Sequence, residues 1–122
     1  MLTQGPIPVA VHGVIEYGAG VLFVVAPFLF DFSGGATALA VLLGFVILAF
    51  AAATGGPTGL IDQISVRTHA GLDYVLALFL LLSPYVFGFS GETAPTAFFI
   101  ALGVAHLLVT VGTRFLRGTA RL

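Results

Sequence analysis

A histidine followed four residues later by a carboxylate occurs twice in this chain, as His12 with Glu16 and as His69 with Asp73. On a helix, residues four apart share one face, so each pair forms a single polar spot. An imidazole beside a carboxylate can titrate near neutral pH, which suits proton or cation handling. The same groups can instead hydrogen-bond between helices and fix which faces meet. Two histidines at equivalent depth in a helical bundle can also serve as axial ligands of a haem. Tyr17 and Tyr74 directly follow the acids and are candidate hydroxyl partners. His106 reads as a packed histidine bonded to a neighbouring helix. The chain has no H-E-x-x-H, no Walker loop and no G-x-S-x-G. The expectation is therefore a non-enzymatic protein with no catalytic residues, no metal site and no cofactor, haem being the alternative.

The elements that carry these pairs follow from composition. The 122 residues are 59% hydrophobic and 7% charged, against roughly 25% charged in soluble domains. Four apolar segments, about 7–30, 36–54, 66–87 and 94–113, approach the ~20 residues a helix needs to cross a bilayer. They use most of the chain, which leaves a single membrane domain over 1–122. Without cysteine there is no disulfide, thiolate metal site or cysteine nucleophile. A net charge of −1 excludes a basic nucleic-acid surface. The N-terminus lacks the positive region of a secretory signal, so the first helix is expected in the mature protein. Arg67 precedes the third span, and Arg114, Arg117 and Arg121 follow the fourth, so all basic side chains fall on one side. The positive-inside tendency makes that side cytoplasmic, with both termini inside.

Residues 12–34 align without a gap on residues 69–91, with seven of 23 positions identical. The identities include His12 with His69, Tyr17 with Tyr74 and Pro27 with Pro84, and Glu16 meets Asp73. Such polar matches are informative because polar residues are scarce here. The second halves align at a slightly larger offset, Thr54 meeting Thr113. The expected architecture is all-α, with four transmembrane helices formed by two tandem helical-hairpin repeats. Repeat one covers about 7–54, a connection about 55–65, repeat two about 66–115 and a cytoplasmic tail about 116–122. Each repeat enters the membrane in the same direction, which implies a pseudo-two-fold axis along the membrane normal.

A histidine and an acid near the start of a span, a Ser-Pro-aromatic near its end and a second span after a short turn resemble the SPW repeat family, small bacterial and archaeal membrane proteins. The matching residues are Ser83, Pro84 and Tyr85 in repeat two, and Ala26, Pro27 and Phe28 in repeat one. The motif's tryptophan is replaced by Tyr85 and Phe28. The resemblance covers nearly the whole chain and implies a two-helix repeat in the inner (cytoplasmic) membrane of a prokaryote. It carries no general biochemical activity with it.

Glu16 and Asp73 must lie inside the spans. The 14 uncharged residues from Tyr17 to Phe30, and from Tyr74 to Phe87, cover about 21 Å, short of the ~30 Å of hydrocarbon. An isolated carboxylate at such depth costs about 2.5–3.5 kcal/mol on insertion scales. The two hairpins are therefore expected to face His12, Glu16, His69 and Asp73 toward each other, with Gly20 and Ala77 leaving room for the opposing helix. Pro27 and Pro84 are expected to kink or stop their helices, with Ser83 satisfying a freed carbonyl and with an aromatic belt of Phe28, Phe30 and Phe32, or Tyr85, Phe87 and Phe89. Thr93 is the expected N-cap of the fourth helix, and residues 55–67 a short interfacial helical turn. Small residues at four-residue spacing, Ala36, Ala40 and Gly44 in span two and Ala97, Ala101 and Ala105 in span four, suit close helix contact within the bundle or between protomers. Function is expected to lie in association, as a self-associating scaffold or accessory subunit of a larger membrane complex. The alternative is proton- or cation-coupled transport, and bis-histidine haem binding the third reading.

Overall fold

A computed structural model describes residues 2–115 of the chain. In chain order the elements are β1 (Ile7–Pro8), α1 (Val9–Leu29), α2 (Gly34–Ala53), α3 (Val66–Val86), α4 (Thr93–Gly112) and β2 (Thr113–Arg114). All four helices are long and apolar enough to cross a membrane. At 20 or 21 residues each they extend roughly 30 Å. α2, without a charged residue, has the highest mean hydropathy at 2.5, and α3, which carries Arg67, His69 and Asp73, the lowest at 1.4.

The proline-containing helices α1 and α3 end in the same way. Pro27 and Pro84 sit in the last turn, and each helix stops two residues later. The chain then passes through a left-handed residue, Asp31 at φ 56° and Gly88 at φ 77°. Phe32 N–H donates to the Pro27 carbonyl at 3.0 Å, and Phe89 N–H to the Pro84 carbonyl at 2.9 Å. These bonds close Schellman-type caps that satisfy carbonyls at the helix end. The reversal carries Phe32 and Phe89 back into the core, 7% and 3% exposed, while Phe30 and Phe87 stay 56% and 52% exposed. The expected aromatic belt is thereby split: Phe28, Phe30, Tyr85 and Phe87 face outward, and Phe32 and Phe89 pack inside. Ser83 Oγ donates to the Phe79 carbonyl at 2.6 Å, its own i−4 group and not the one freed by Pro84.

Within each hairpin the helices approach closely at glycine. A Cβ on Gly44 would stand 2.7 Å from the Gly20 carbonyl oxygen and 2.9 Å from the Val24 nitrogen, so α1 and α2 cross backbone to backbone. Gly20 therefore serves its own hairpin partner rather than the opposing hairpin. In α3 and α4, Gly103 makes room for Leu81. The expected α2 stripe, Ala36, Ala40 and Gly44, is buried, whereas Ala97, Ala101 and Ala105 of α4 are exposed. The end of the bundle opposite the paired polar residues is filled by Phe23, Leu80, Phe89 and Phe99. Their rings pack edge to face, Phe23 with Phe98 at 4.9 Å and Phe89 with Phe99 at 5.1 Å, the arrangement the aromatic quadrupole favours.

Helix starts and the connection differ from expectation in detail. Glu92, not Thr93, is the N-cap of α4, and it makes no side-chain capping bond. Ser33 and Ser65 cap α2 and α3 by accepting from Ala36 N–H and Thr68 N–H. Residues 55–65 contain turns but no helix. They fold back so that Leu60 and Ile61 N–H donate to the Ala52 carbonyl, and Gln63 and Ile64 N–H to that of Ala53. The last carbonyls of α2, which a helical turn would have left unpaired, are satisfied this way. Leu60 and Ile61 project outward. An unexpected parallel ladder joins β1 to β2, Ile7 beside Thr113 and Pro8 beside Arg114. A matching isolated bridge joins Thr54 to Ile64.

Candidate functional site: a buried histidine–carboxylate cluster

His12 and His69 are each the fourth residue of their helix and Glu16 and Asp73 each the eighth. That puts the four side chains about one to two turns inside the same end of the bundle. They meet there, all buried. His12 Nε2 stands 3.0 Å from Asp73 Oδ2 and 3.4 Å from Glu16 Oε2. His69 Nε2 stands 2.8 Å from Glu16 Oε1 and 3.3 Å from Asp73 Oδ1. Each imidazole thus contacts the acid of its own helix and, more closely, the acid of the other hairpin.

The far nitrogens of both rings are held by threonines at helix C-caps. Thr54 Oγ1 donates to the Phe50 carbonyl at 2.6 Å and lies 2.5 Å from His69 Nδ1. Thr113 Oγ1 donates to the Val109 carbonyl at 2.6 Å and lies 2.9 Å from His12 Nδ1. A hydroxyl has one proton, and in both threonines the backbone carbonyl takes it. Each hydroxyl oxygen must then accept from the imidazole, so Nδ1 carries hydrogen in both histidines. The ladder at Thr113 and the bridge at Thr54 hold these hydroxyls in place, because each pins its threonine beside the strand or turn leading into the helix that bears the histidine.

Both Nε2 atoms consequently face two carboxylates among buried side chains. A nitrogen lone pair opposite a carboxylate is repulsive, so positive charge has to lie between them, either as protons on Nε2 or as a bound cation. His12, Glu16, His69 and Asp73 each offer a ligand atom, all within 4.8 Å of one another. His106 joins them from α4, its Nε2 3.4 Å from Asp73 Oδ1. His106 thus approaches the cluster on a neighbouring helix, but its Nε2 has no hydrogen-bond partner there. The His12 and His69 ring centroids are 6.3 Å apart, with the ring planes at 83°.

The tyrosines do not join the cluster. Tyr17 donates to the Thr58 carbonyl at 2.9 Å, tying α1 to the 55–65 connection, and Tyr74 donates to the Leu2 carbonyl at 2.6 Å. Thr58 also packs against Gly13, where any Cβ would clash with its side chain. Phe115 lies edge-on to His12 at 4.9 Å and covers it from the chain's C-terminal side. A cavity of about 250 Å³ between α2 and α3, lined by Leu43, Phe50, Leu76 and Phe79, reaches Glu16, His69 and Asp73. Two smaller ones, about 30 and 60 Å³, also border Glu16. Of the basic residues, Arg67 and Arg114 are exposed at the cluster's end of the bundle, and Arg117 and Arg121 lie outside the described residues. Ser83 and Pro84 are buried near the opposite end, remote from the cluster.

Thr54 and Thr113 are site residues whose role the sequence did not show, and His106, expected only as a packed histidine, approaches Asp73. The Thr54–Thr113 match between repeats was the available signal. Comparison with known proteins returns no matching family model, no matching curated protein and no matching solved structure.

Proposed function

We propose that the protein is a non-enzymatic integral membrane protein that acts by association, assembling with further copies of itself through α4. One observation carries this reading. The small-residue stripe of α2 is buried, Gly44 against α1, but Ala97, Ala101 and Ala105 of α4 stand exposed along one face. In lipid, where apolar burial gives no drive, helices associate where small side chains let backbones approach. The histidine–carboxylate cluster supports this role by joining the two hairpins, so that α4 is presented at a fixed angle. Four-span helices suited to a bilayer agree with it. The test is a subunit count of single labelled molecules in a bilayer. The wild type should form oligomers and Ala101→Phe should shift them to monomers, while Leu42→Phe on the exposed face of α2 leaves them unchanged. A wild type that is monomeric alone but purifies within a stable larger complex would indicate an accessory subunit instead. A monomer in both settings overturns the proposal.

Two tandem repeats about a pseudo-two-fold axis, as the likeness to the SPW repeat family implies, belong to the same reading. The matched contacts support it: each histidine meets both acids and one C-cap threonine. Placement in a prokaryotic inner membrane with both termini cytoplasmic is supported by Arg67 and Arg114 at one end. A second reading, cation-coupled transport, is favoured by the three cavities that converge on Glu16. Saturable cation flux in proteoliposomes, lost in Glu16→Gln, would establish it, and its absence would leave association alone.

A further inference from the structure

We infer that His12, Glu16, His69 and Asp73 form a binding site for one divalent transition-metal ion of the zinc, iron or manganese class, with His106 as an additional ligand. The sequence spacing had given no expectation of a metal, because the four ligands come from two helices separated by 57 positions. Three features of the cluster point to an ion.

The first is the aim of the donor atoms. His12 Nε2 and Asp73 Oδ2 are buried and only 3.0 Å apart, yet neither has a hydrogen-bond partner. His106 Nε2 is likewise buried and unpartnered. His69 Nε2 and Glu16 Oε2 do form a hydrogen bond at 2.9 Å, whereas these three atoms converge on the same carboxylate–imidazole cluster without one. Buried polar atoms without partners are costly, and a shared cation relieves all three.

The second is proximity. His12, Glu16, His69 and Asp73 each offer one donor atom, and those four atoms lie within 4.8 Å of one another, close enough to surround a single ion. The third is the outer layer. Histidines that bind metal through one nitrogen characteristically donate the other N–H to an oxygen, which sets the tautomer and ring orientation. Thr54 and Thr113 do this for His69 and His12, with their own protons committed to backbone carbonyls. Two neutral imidazoles and two carboxylates carry two negative charges, which a divalent ion neutralises. Mixed imidazole–carboxylate donors suit zinc, iron and manganese.

The experiment uses the full chain purified in mild detergent. Metal content is measured by elemental analysis, then the ion is stripped and Co²⁺ added, with its visible absorption reporting imidazole–carboxylate coordination and Zn²⁺ competing it away. One ion per chain and a strong cobalt spectrum are expected. Thr54→Val keeps all four ligands and loses only the bond to His69 Nδ1, so it should weaken affinity roughly 10- to 100-fold. His69→Gln should abolish the spectrum, with helical circular dichroism confirming that the variant folds. A folded wild type that neither retains metal nor develops a cobalt spectrum overturns the inference. Binding that is unchanged in His69→Gln or Thr54→Val also overturns it.

Discussion

Asp73 touches three histidines, His12 and His69 at 3.0 and 3.3 Å and His106 at 3.4 Å. Its replacement by asparagine leaves His12 and His69 facing one carboxylate instead of two, and His106 facing none. Removing one charged member of a buried contacting set costs about 3–5 kcal/mol, because the groups facing it are left uncompensated. Asp73→Asn should destabilise the folded protein by that amount in reversible unfolding from mixed micelles. Glu16→Gln with Asp73→Asn should impair assembly of the two hairpins altogether. The positions of these four residues could be read from the sequence because polar side chains are so rare in its apolar runs and recur four apart. Asp31 and Gly88 were not legible in the same way. They align as a mismatch, yet both take the left-handed conformation that ends their helices, a backbone role that glycine fills and aspartate tolerates.

Hairpin packing belongs to the scale of the helix pair. The closest approach of α1 and α2 lies at Gly20 and Gly44, where an added methyl would press on backbone that cannot swing aside. Gly44→Ala should therefore cost about 1–3 kcal/mol, as overpacking does. Gly35→Ala, whose Cβ meets nothing within 4 Å, should stay within about 0.5 kcal/mol. The comparison of their unfolding transitions checks the crossing point directly. That small residues line α2 and α4 was evident from the chain. Which stripe faces inward was not, because a helix's rotation about its axis is set by its partner.

For the molecule as a whole, the cysteine-free chain makes orientation directly measurable. With the arginines on the cytoplasmic side, Leu60→Cys should be shielded from a membrane-impermeant thiol reagent in intact cells, and Ser90→Cys should react. The reverse pattern would place the termini outside. Leu60 is 80% exposed, and Ser90 lies in the connection between α3 and α4 and is also exposed, so burial in the protein does not confound the readout.

Four helices of bilayer length, their order and the depth of the two acids were determined by composition and by the spacing of the few polar residues. A chain this apolar must satisfy its backbone within helices and hide its carboxylates. The meeting of His106 with Asp73, the threonines behind each imidazole, the return of Phe32 and Phe89 to the core and the exposure of the α4 stripe were decided only by tertiary structure. Each depends on the relative rotation of helices or on a turn that redirects the chain. A threonine whose hydroxyl can always find its own i−4 carbonyl gives no sign in sequence that it also accepts a hydrogen bond from a histidine on another helix.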